Sequence, residues 1–345
     1  GYTPNVDQRP KFPEPSNLQF LIDRMQRKDD ENWEDARDML TLTLDKMAQG
    51  GSYDHLGGGF HRNSTDRFWH IPHFEKMLYD NGQLASIYAQ AYQLTGDENY
   101  QRVAEGILAF VAREMTDESA AFYAALDAET DAEEGKFYRW EQDELNELLA
   151  DEPGKLFAEI YGINAEPNFE EHYFVPMLAQ PLADSAQEKE ISVDELREKL
   201  APVREKLLSH RNKRPRPLTD TKILTGWNGL MIAGYADAGR LLNNDDYISA
   251  AENAADFLLE NLRTPEGRLL RTHTAGEAKL NAYLDDYAFL ADGLIALHRA
   301  TGNEKWLTAA QQLTDKQIEL FWDERDGGFF YTSDDHEELI ARAKD

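Results

Sequence analysis

The 345-residue chain has no cysteine and few basic residues. The lack of cysteine excludes disulfides, thiolate nucleophiles and cysteine-ligated zinc within it. No segment is apolar over the roughly 20 residues that a membrane span requires, and the first residues lack the order of a secretory signal. Because 36 Lys and Arg stand against 65 Asp and Glu, the net charge is −29. Such a surface repels nucleic acid and anionic membranes, so we expect neither partner, and we predict an acidic cytoplasmic protein.

Several catalytic motifs are also missing. The sequence has no glycine-rich phosphate loop with its lysine, no Gly-x-Ser-x-Gly elbow and no dinucleotide fingerprint. The sequence therefore lacks the motifs that indicate phosphoryl transfer, serine hydrolysis or nicotinamide chemistry, and we expect no cofactor. No two histidines have the His-x-x-x-His spacing of a helical zinc site, so we expect no metal either.

What the chain does contain is a repeat of paired amphipathic segments. Helices with Asp or Asn near their start are predicted over 97–115, 245–262 and 303–320. Each follows another helical segment, over 80–95, 227–242 and 286–301, and the spacing within each pair is constant. In a fourth copy, Pro13 takes the leading position and Trp33 takes the aromatic position. A fifth, remodelled copy uses 141–150 and 193–210, with an irregular insertion between them.

The loops decide between the two architectures that repeated αα-hairpins build, an open solenoid and a closed toroid. Turns within hairpins are short and polar, whereas the connections between hairpins are long and rich in aromatic and charged residues. Long connections at one end of the hairpins and short turns at the other end favour a toroid with a single mouth. We therefore predict an all-α, six-hairpin glycosidase-like (α/α)6 toroid as one domain over 1–345, incomplete with about five hairpins. Short β excursions are predicted at 57–61, 122–138, 267–272 and 327–332.

The segment 50–82 combines glycines with many titratable and aromatic side chains. His61 and His73 flank a tryptophan in it, and Glu75 follows two residues later. A histidine can accept or donate a proton near neutral pH, and a carboxylate can fix its tautomer. For 2-epimerisation of a sugar, His61, His73 and either Glu75 or Asp80 could share the proton transfers. The alternative is that both histidines only hydrogen-bond the loop backbone.

Glycoside hydrolysis would need two carboxyl groups instead. Asp80 with either Asp286 or Asp127 is the natural pair. In the repeat, Asp80, Trp227 and Asp286 occupy equivalent positions at the tips of the first helices, where a carboxylate can also serve as an ordinary helix N-terminal partner. If those helices form the inner ring, their tips converge on one cavity.

Polar and aromatic lining of such a cavity suits sugars, whose hydroxyl groups form hydrogen bonds and whose C–H faces stack on rings. Trp69 and Trp227 are either stacking platforms or core residues. Arg62 is either a clamp for an anionic group or an ion-pair partner, and the basic island 214–222 is either a docking loop or a salt-bridged one. The substrate-binding candidates are His55, Arg62, Trp69, Tyr79, Asn81, Asp127, Arg216, Lys222, Trp227, Asn228, Asp285 and Tyr287.

Several motifs resemble the YyaL-type, spermatogenesis-associated thioredoxin-plus-toroid family. They are the segments 11–13, 56–62, 72–81, 134–138, 214–217, 220–222, 227–231 and 284–288, together with Asp127. The resemblance covers essentially the whole chain. It implies a thioredoxin-like domain followed by an (α/α)6 toroid that is related in shape to N-acylglucosamine 2-epimerases and six-hairpin glycosidases. We expect this chain to lack the thioredoxin-like domain and the last hairpin.

Two functions of different classes remain open. The leading one is a carbohydrate-active enzyme, either a sugar epimerase or isomerase or a glycosidase, that acts on a small-molecule sugar by acid/base catalysis in the toroid mouth. The rival is a non-catalytic module that binds a ligand or peptide for an attached thioredoxin-like redox domain. An enzyme needs a perturbed pKa beside the bound sugar, whereas a binding module needs only stacking and hydrogen bonds.

Overall fold

Helical hairpins dominate the computed structural model, which describes residues 10–27, 31–335 and 341–344. The helices in these residues are α1 (Pro15–Gln26), α2 (Trp33–Gln49), α3 (Leu78–Thr95), α4 (Glu98–Glu114), α5 (Gln142–Leu148), α6 (Glu152–Ile160), α7 (Leu182–Glu188), α8 (Val193–Arg211), α9 (Thr225–Leu242), α10 (Asp245–Asn261), α11 (Leu284–Thr301) and α12 (Glu304–Phe321). None of these described helices has the length and apolarity needed to cross a bilayer.

The strands are short and lie in the connections between hairpins. They are β1 (Asn63–Ser64), β2 (Pro72–His73), β3 (Lys76–Met77), β4 (Ala125–Leu126), β5 (Glu129–Thr130), β6 (Glu133–Glu134), β7 (Trp140–Glu141), β8 (Tyr173–Phe174), β9 (Thr219–Asp220), β10 (Ile223–Leu224), β11 (Leu270–Thr274) and β12 (Glu277–Asn281). Antiparallel pairing joins β1 to β2, β5 to β6, β7 to β8, and β10 to β11 to β12. The predicted excursion 122–138 contains β4, β5 and β6, and 267–272 overlaps β11. The predicted excursions 57–61 and 327–332 contain only isolated bridges, and β1 and β2 lie beyond 57–61.

The chain divides into two compact units, which are described separately. Unit 1 comprises 1–77 and 126–218, and unit 2 comprises 78–125 and 219–345. The expectation of a single domain over 1–345 stays a prediction.

Unit 2 contains three hairpins, α3–α4, α9–α10 and α11–α12. In each, the second helix begins with a side-chain cap, because Asp97, Asn244 and Asn303 each accept a hydrogen bond from a backbone N–H of the first turn. The first helices α3, α9 and α11 are buried around most of their circumference, and α9 packs against both others. This burial identifies them as the inner layer that the repeat predicts.

Unit 1 contains the hairpin α1–α2 and the remodelled region α5–α8. A hydrophobic core there includes Trp140, Phe157, Phe174 and Leu196. The prediction that the insertion is irregular is wrong in part, because the insertion contains α6 and α7. Asp151 caps α6 by accepting a hydrogen bond from Gly154 N at 2.9 Å. Helices of seven to nine residues are too short to show a periodicity that the sequence could reveal.

Candidate functional site

In unit 1, a buried carboxylate organises the glycine-rich loop that precedes β1. Asp54 accepts hydrogen bonds from the backbone of Leu56 and Gly57. It also forms a bidentate pair with Arg211 and a bond with Lys76 Nζ, all at 2.8 Å. Although burial raises the pKa of Asp54, Arg211 and Lys76 outweigh it and hold that pKa well below its ordinary value. The loop is therefore held by an ionised group with five donors.

His55 and His61 are buried beside this network, and each is held in one tautomer by backbone carbonyl groups. His55 Nε2 lies 3.0 Å from Gly50 O, and His61 Nδ1 lies 3.0 Å from Phe74 O. Because a carbonyl oxygen only accepts, the bonded nitrogen of each ring carries the proton. Burial lowers the pKa of His55 to about 4 and that of His61 to about 3. Both imidazoles are therefore neutral at neutral pH, and His61 is a weak base.

These two histidines line a small pocket in unit 1. Aromatic rings form part of its wall, and Tyr138 meets the His61 ring edge-on with centroids 4.7 Å apart. The full lining is Gly51, Tyr53, Asp54, His55, Leu56, His61, Phe74, Tyr138, Val175, Pro176 and Arg211.

His73 belongs to a different, half-exposed part of unit 1. Its Nδ1 lies 3.0 Å from Glu134 Oε1, and both side chains are more than a third exposed. Glu75, which the sequence suggested as a partner of this ring, instead approaches Arg62 at 4.0 Å. Glu134 is therefore the carboxylate that can orient His73. It contacts Nδ1, so the contact does not involve the other ring nitrogen, Nε2.

Three other candidates in unit 1 occupy ordinary structural positions. Trp69 is 1% exposed, so its ring has no open face for stacking on a sugar. Asp127 is exposed and accepts a hydrogen bond from Glu129 N. Arg216 is exposed, and its guanidinium lies 5.1 Å from the centroid of the Phe137 ring. Arg214, by contrast, donates from Nη2 to both carboxylate oxygens of Glu144 at 2.7 Å, so this part of the basic island is salt-bridged.

In unit 2, the predicted register of the helix tips is confirmed. Asp80, Trp227 and Asp286 are each the third residue of their helix, α3, α9 and α11 respectively. Asp286 joins two of these tips, because it accepts hydrogen bonds from Gly226 N of α9 and from Tyr283 N before α11, both at 2.9 Å. These bonds satisfy N–H groups that a helix start otherwise leaves unpaired.

Asp286 also pairs with Arg271 at 2.8 Å, and the neighbouring Asp285 lies 3.5 Å from the same guanidinium. Burial raises the pKa of Asp286 to about 6, although Arg271 and the backbone donors act in the opposite direction. The Asp285 side chain is 28% exposed, whereas that of Asp286 is 3% exposed. Two adjacent carboxyl groups thus occupy different environments around one arginine.

Aromatic rings surround this carboxyl pair. Tyr283 stacks on Tyr331 with centroids 5.1 Å apart, and the Tyr331 hydroxyl donates to Asp285 at 3.3 Å. At the tips of α3 and α9, Tyr79 and Trp227 meet at 4.8 Å, and both are partly exposed. We call the set of Tyr79, Trp227, Arg271, Tyr283, Asp285, Asp286 and Tyr331 the helix-tip cluster.

The remaining candidates of unit 2 are mainly structural. Asn228 is fully buried and clamps the backbone of Phe122, because it accepts from Phe122 N and donates to Phe122 O, both at 2.9 Å. The buried Tyr287 accepts from Leu269 N at 2.8 Å through its hydroxyl oxygen. Asp80 and Asn81 are buried, and the exposed Lys222 pairs with Asp220 at 2.8 Å.

Sequence reasoning missed Asp54, Arg211, Glu134 and Arg271. The first two are 157 residues apart, and no spacing rule connects them. Glu134 begins the motif 134–138, and its position in that motif is the sequence feature that could have identified it as a site residue. Within the described residues, no group of three or more His, Cys, Asp or Glu is arranged to hold a metal ion.

Comparison with solved structures establishes the fold class. The α-1,6-mannanase GH76A of Salegentibacter sp. HEL1_6 matches 96% of this chain and 71% of its own, with a TM-score of 0.56 at 13% identity. A family 105 glycoside hydrolase of C. acetobutylicum matches 92% of this chain and 67% of its own, with a TM-score of 0.51 at 13% identity. The fold is therefore the all-α (α/α)6 toroid, as predicted, and the described residues supply five of its hairpins.

Comparison of sequences identifies the relatives. The chain is 40% identical to human spermatogenesis-associated protein 20 over 355 aligned residues, which cover 93% of this chain and 45% of that protein. No protein-family model matches the chain. The predicted resemblance is confirmed, and the chain is a homologue of spermatogenesis-associated protein 20. It spans about half the length of the curated relatives it matches.

Proposed function

We propose that the protein is a carbohydrate-active enzyme that hydrolyses a glycosidic bond at the helix-tip cluster. The observation that carries this proposal is the adjacent pair Asp285–Asp286, in which one carboxyl group is buried and the other is partly exposed. Glycosidases need one carboxyl group that holds a proton and another that is ionised. A pKa of about 6 leaves a protonated fraction of Asp286 near neutral pH.

In this proposal each group has a defined role. Asp286 supplies a proton to the leaving-group oxygen, and the partly exposed Asp285 acts as the ionised carboxylate. Burial favours the protonated form of Asp286, whereas Arg271, which lies nearer to Asp286 than to Asp285, acts against it. Trp227 and Tyr79 offer partly exposed rings on which the apolar face of a sugar can stack.

The fold neighbours support a saccharide substrate. The matching mannanase structure holds α-1,6-mannotetrose and is a variant described as inactive after replacement of two consecutive aspartates. A second element of the proposal is a thioredoxin-like domain attached to this toroid in the intact protein, for which the greater length of the relatives leaves room.

Hydrolysis of α-1,6-mannotetraose and of 4-nitrophenyl glycosides tests the assignment. We expect Asp285→Asn and Asp286→Asn each to lower the rate at least 100-fold without weakening binding of the tetrasaccharide more than a few-fold. Trp227→Ala should weaken binding instead. The control is Asp315→Asn, at an exposed carboxylate of α12, which should leave both quantities unchanged. Equal rates for all three Asp variants would contradict the catalytic roles.

The hydrogen bonds to Asp286 favour a different function, a non-catalytic binding module. Three donors already engage the Asp286 carboxylate. That module predicts saccharide binding, sensitive to Trp227→Ala, with no turnover of any glycoside.

Another observation, the half-exposed His73–Glu134 dyad, favours proton transfer at carbon as in an epimerase. That activity predicts deuterium uptake at C2 of a sugar in heavy water, lost in His73→Gln.

A further inference from the structure

The two carboxylate oxygens of Asp285 have different partners in the helix-tip cluster. Oδ1 accepts a hydrogen bond from Asp286 N at 3.0 Å and lies 3.5 Å from Arg271 Nη1. Oδ2 accepts a hydrogen bond from the Tyr331 hydroxyl at 3.3 Å. Asp285 therefore interacts with a phenol that comes from a different part of the chain, 46 residues away.

The backbone and the ring of Tyr331 are both held in place. Its N–H donates to Ala343 O at 2.9 Å, and its carbonyl oxygen accepts from Leu284 N at 3.1 Å. Because Leu284 is the first residue of α11, the second bond satisfies an N–H that a helix start leaves unpaired. The ring stacks on Tyr283 at an interplanar angle of 22°. Three contacts thus fix the ring from which the hydroxyl reaches Asp285.

The segment that pairs with Tyr331 is itself anchored by an ion pair. Phe330 and Lys344 form an antiparallel bridge. Lys344 Nζ contacts Asp323 Oδ2 at 2.6 Å and donates to Gly327 O at 2.7 Å. The Asp323 side chain is only 10% exposed, so water screens this pair less than it screens a surface pair. Tyr331 is therefore fixed from two sides, by the start of α11 and by residues 341–344.

We propose that Tyr331 is a positioning residue for Asp285, whose carboxylate it orients and keeps ionised through its hydroxyl hydrogen bond. This inference rests on the proposed function, in which Asp285 is the ionised carboxylate and Asp286 the proton donor. A donated hydrogen bond favours the ionised form of a carboxyl group. Catalytic hydrogen bonds that are long without substrate tighten in the complex, so the bond of 3.3 Å shortens when the saccharide binds.

Tyr331→Phe tests the role, because it keeps the stacked ring and removes only the hydroxyl group. With the glycoside that the wild type hydrolyses best, we expect kcat to fall about 10- to 100-fold, as for loss of a hydrogen bond to a charged group. KM should change less than twofold, since the hydroxyl acts on Asp285 and not on the substrate. Tyr92→Phe, at a partly exposed tyrosine in the last turn of α3, is the matched control and should keep the wild-type kcat.

The outcomes separate this role from the proposed function. An unchanged kcat in Tyr331→Phe, even with a lower Tm, would mean that the hydroxyl only stabilises the fold and would overturn the positioning role alone. Absence of glycoside hydrolysis by the wild type would refute the proposed function and the positioning role together.

A double-mutant cycle identifies the group on which the hydroxyl acts. In the background of Asp285→Asn, Tyr331→Phe should lower kcat less than twofold, because the carboxylate that it positions is gone. Equal fold losses in the two backgrounds would mean that Tyr331 acts on a group other than Asp285 and would contradict the proposal.

The contact can also be measured without any activity. Burial raises the pKa of Tyr331, and Asp285 and Asp286 raise it further, whereas Arg271 lowers it. In protein labelled with ¹³C-tyrosine, we therefore expect Asp285→Asn to lower the pH at which the Tyr331 ring ionises. Asp315→Asn, at an exposed carboxylate of α12, should leave it unchanged. An unaltered Tyr331 titration in Asp285→Asn would show that the two groups do not interact and would overturn the inference, whichever glycoside is hydrolysed.

Discussion

At the scale of single residues, the buried carboxyl group of Asp286 has a measurable dependence on pH. Burial raises its pKa from 3.8 to about 6. A group with a raised folded-state pKa contributes stability that is present below its unfolded pKa and is lost as the pH rises through its folded pKa. Between pH 4 and pH 7 we therefore expect the wild type to lose about 2 kcal/mol of unfolding free energy relative to Asp286→Asn.

Urea unfolding of both proteins at intervals of half a pH unit measures this difference. Asp315→Asn, at an exposed position of α12, is the control and should follow the wild type throughout. The opposite sign, in which the wild type gains stability relative to Asp286→Asn as the pH rises, would mean that the pair with Arg271 dominates. Asp286 would then be an ordinary ionised carboxylate and a poor proton donor.

Residue types in the sequence identified which side chains could carry chemistry but not which side chains meet. His73 was a candidate because of its type and its loop. Its carboxylate partner Glu134 is 61 residues away, on β6, and only the tertiary fold brings that strand to the ring. The same limit applies to His61, since the low pKa of its ring follows from burial, which a loop sequence does not reveal.

At the scale of elements, the register of the inner helices was predictable because it depends on local periodicity. The constant spacing of the hairpins placed Asp80, Trp227 and Asp286 at equivalent positions, and all three are third residues of their helices. Helices α6 and α7 were not predictable in the same way. Their short sequences are stabilised by packing within unit 1 rather than by a long amphipathic pattern of their own.

The inner helices approach closely enough that glycine is required between them. A Cβ atom at Gly229 of α9 would lie 2.5 Å from the backbone oxygen of Phe289 in α11. Because backbone cannot move aside as a side-chain end can, we expect Gly229→Ala to lower the free energy of unfolding by about 2–3 kcal/mol, despite the better helix propensity of alanine. Chemical denaturation measures this loss.

Gly302→Ala is the control for that substitution. Gly302 ends α11 with φ of +67°, and no heavy atom lies within 4 Å of the position that a Cβ atom would occupy there. Alanine at this position therefore changes only the backbone preference, and we expect a loss of about 1 kcal/mol from it. If Gly229→Ala were no more destabilising than Gly302→Ala, α9 and α11 would have room to separate, and the close packing of the inner layer would be wrong.

At the scale of the whole molecule, the net charge of −29 sets two electrostatic effects against each other. Salt weakens the attraction within surface ion pairs such as Arg325–Asp326, and it also weakens repulsion among the acidic residues. Exposed ion pairs contribute only about 0–1 kcal/mol each. With 65 acidic residues and 36 basic ones, acidic groups outnumber the basic groups with which they could pair.

Repulsion should therefore be the larger effect. The Debye length falls from about 30 Å at 0.01 M salt to about 3 Å at 1 M, so we expect Tm to rise by about 3–6 °C between 0.01 and 0.5 M sodium chloride. Choline chloride at equal ionic strength should give the same rise, because screening does not depend on the identity of the cation. A rise with sodium alone would indicate specific binding of sodium, and a fall in both salts would mean that paired charges outweigh the acidic excess.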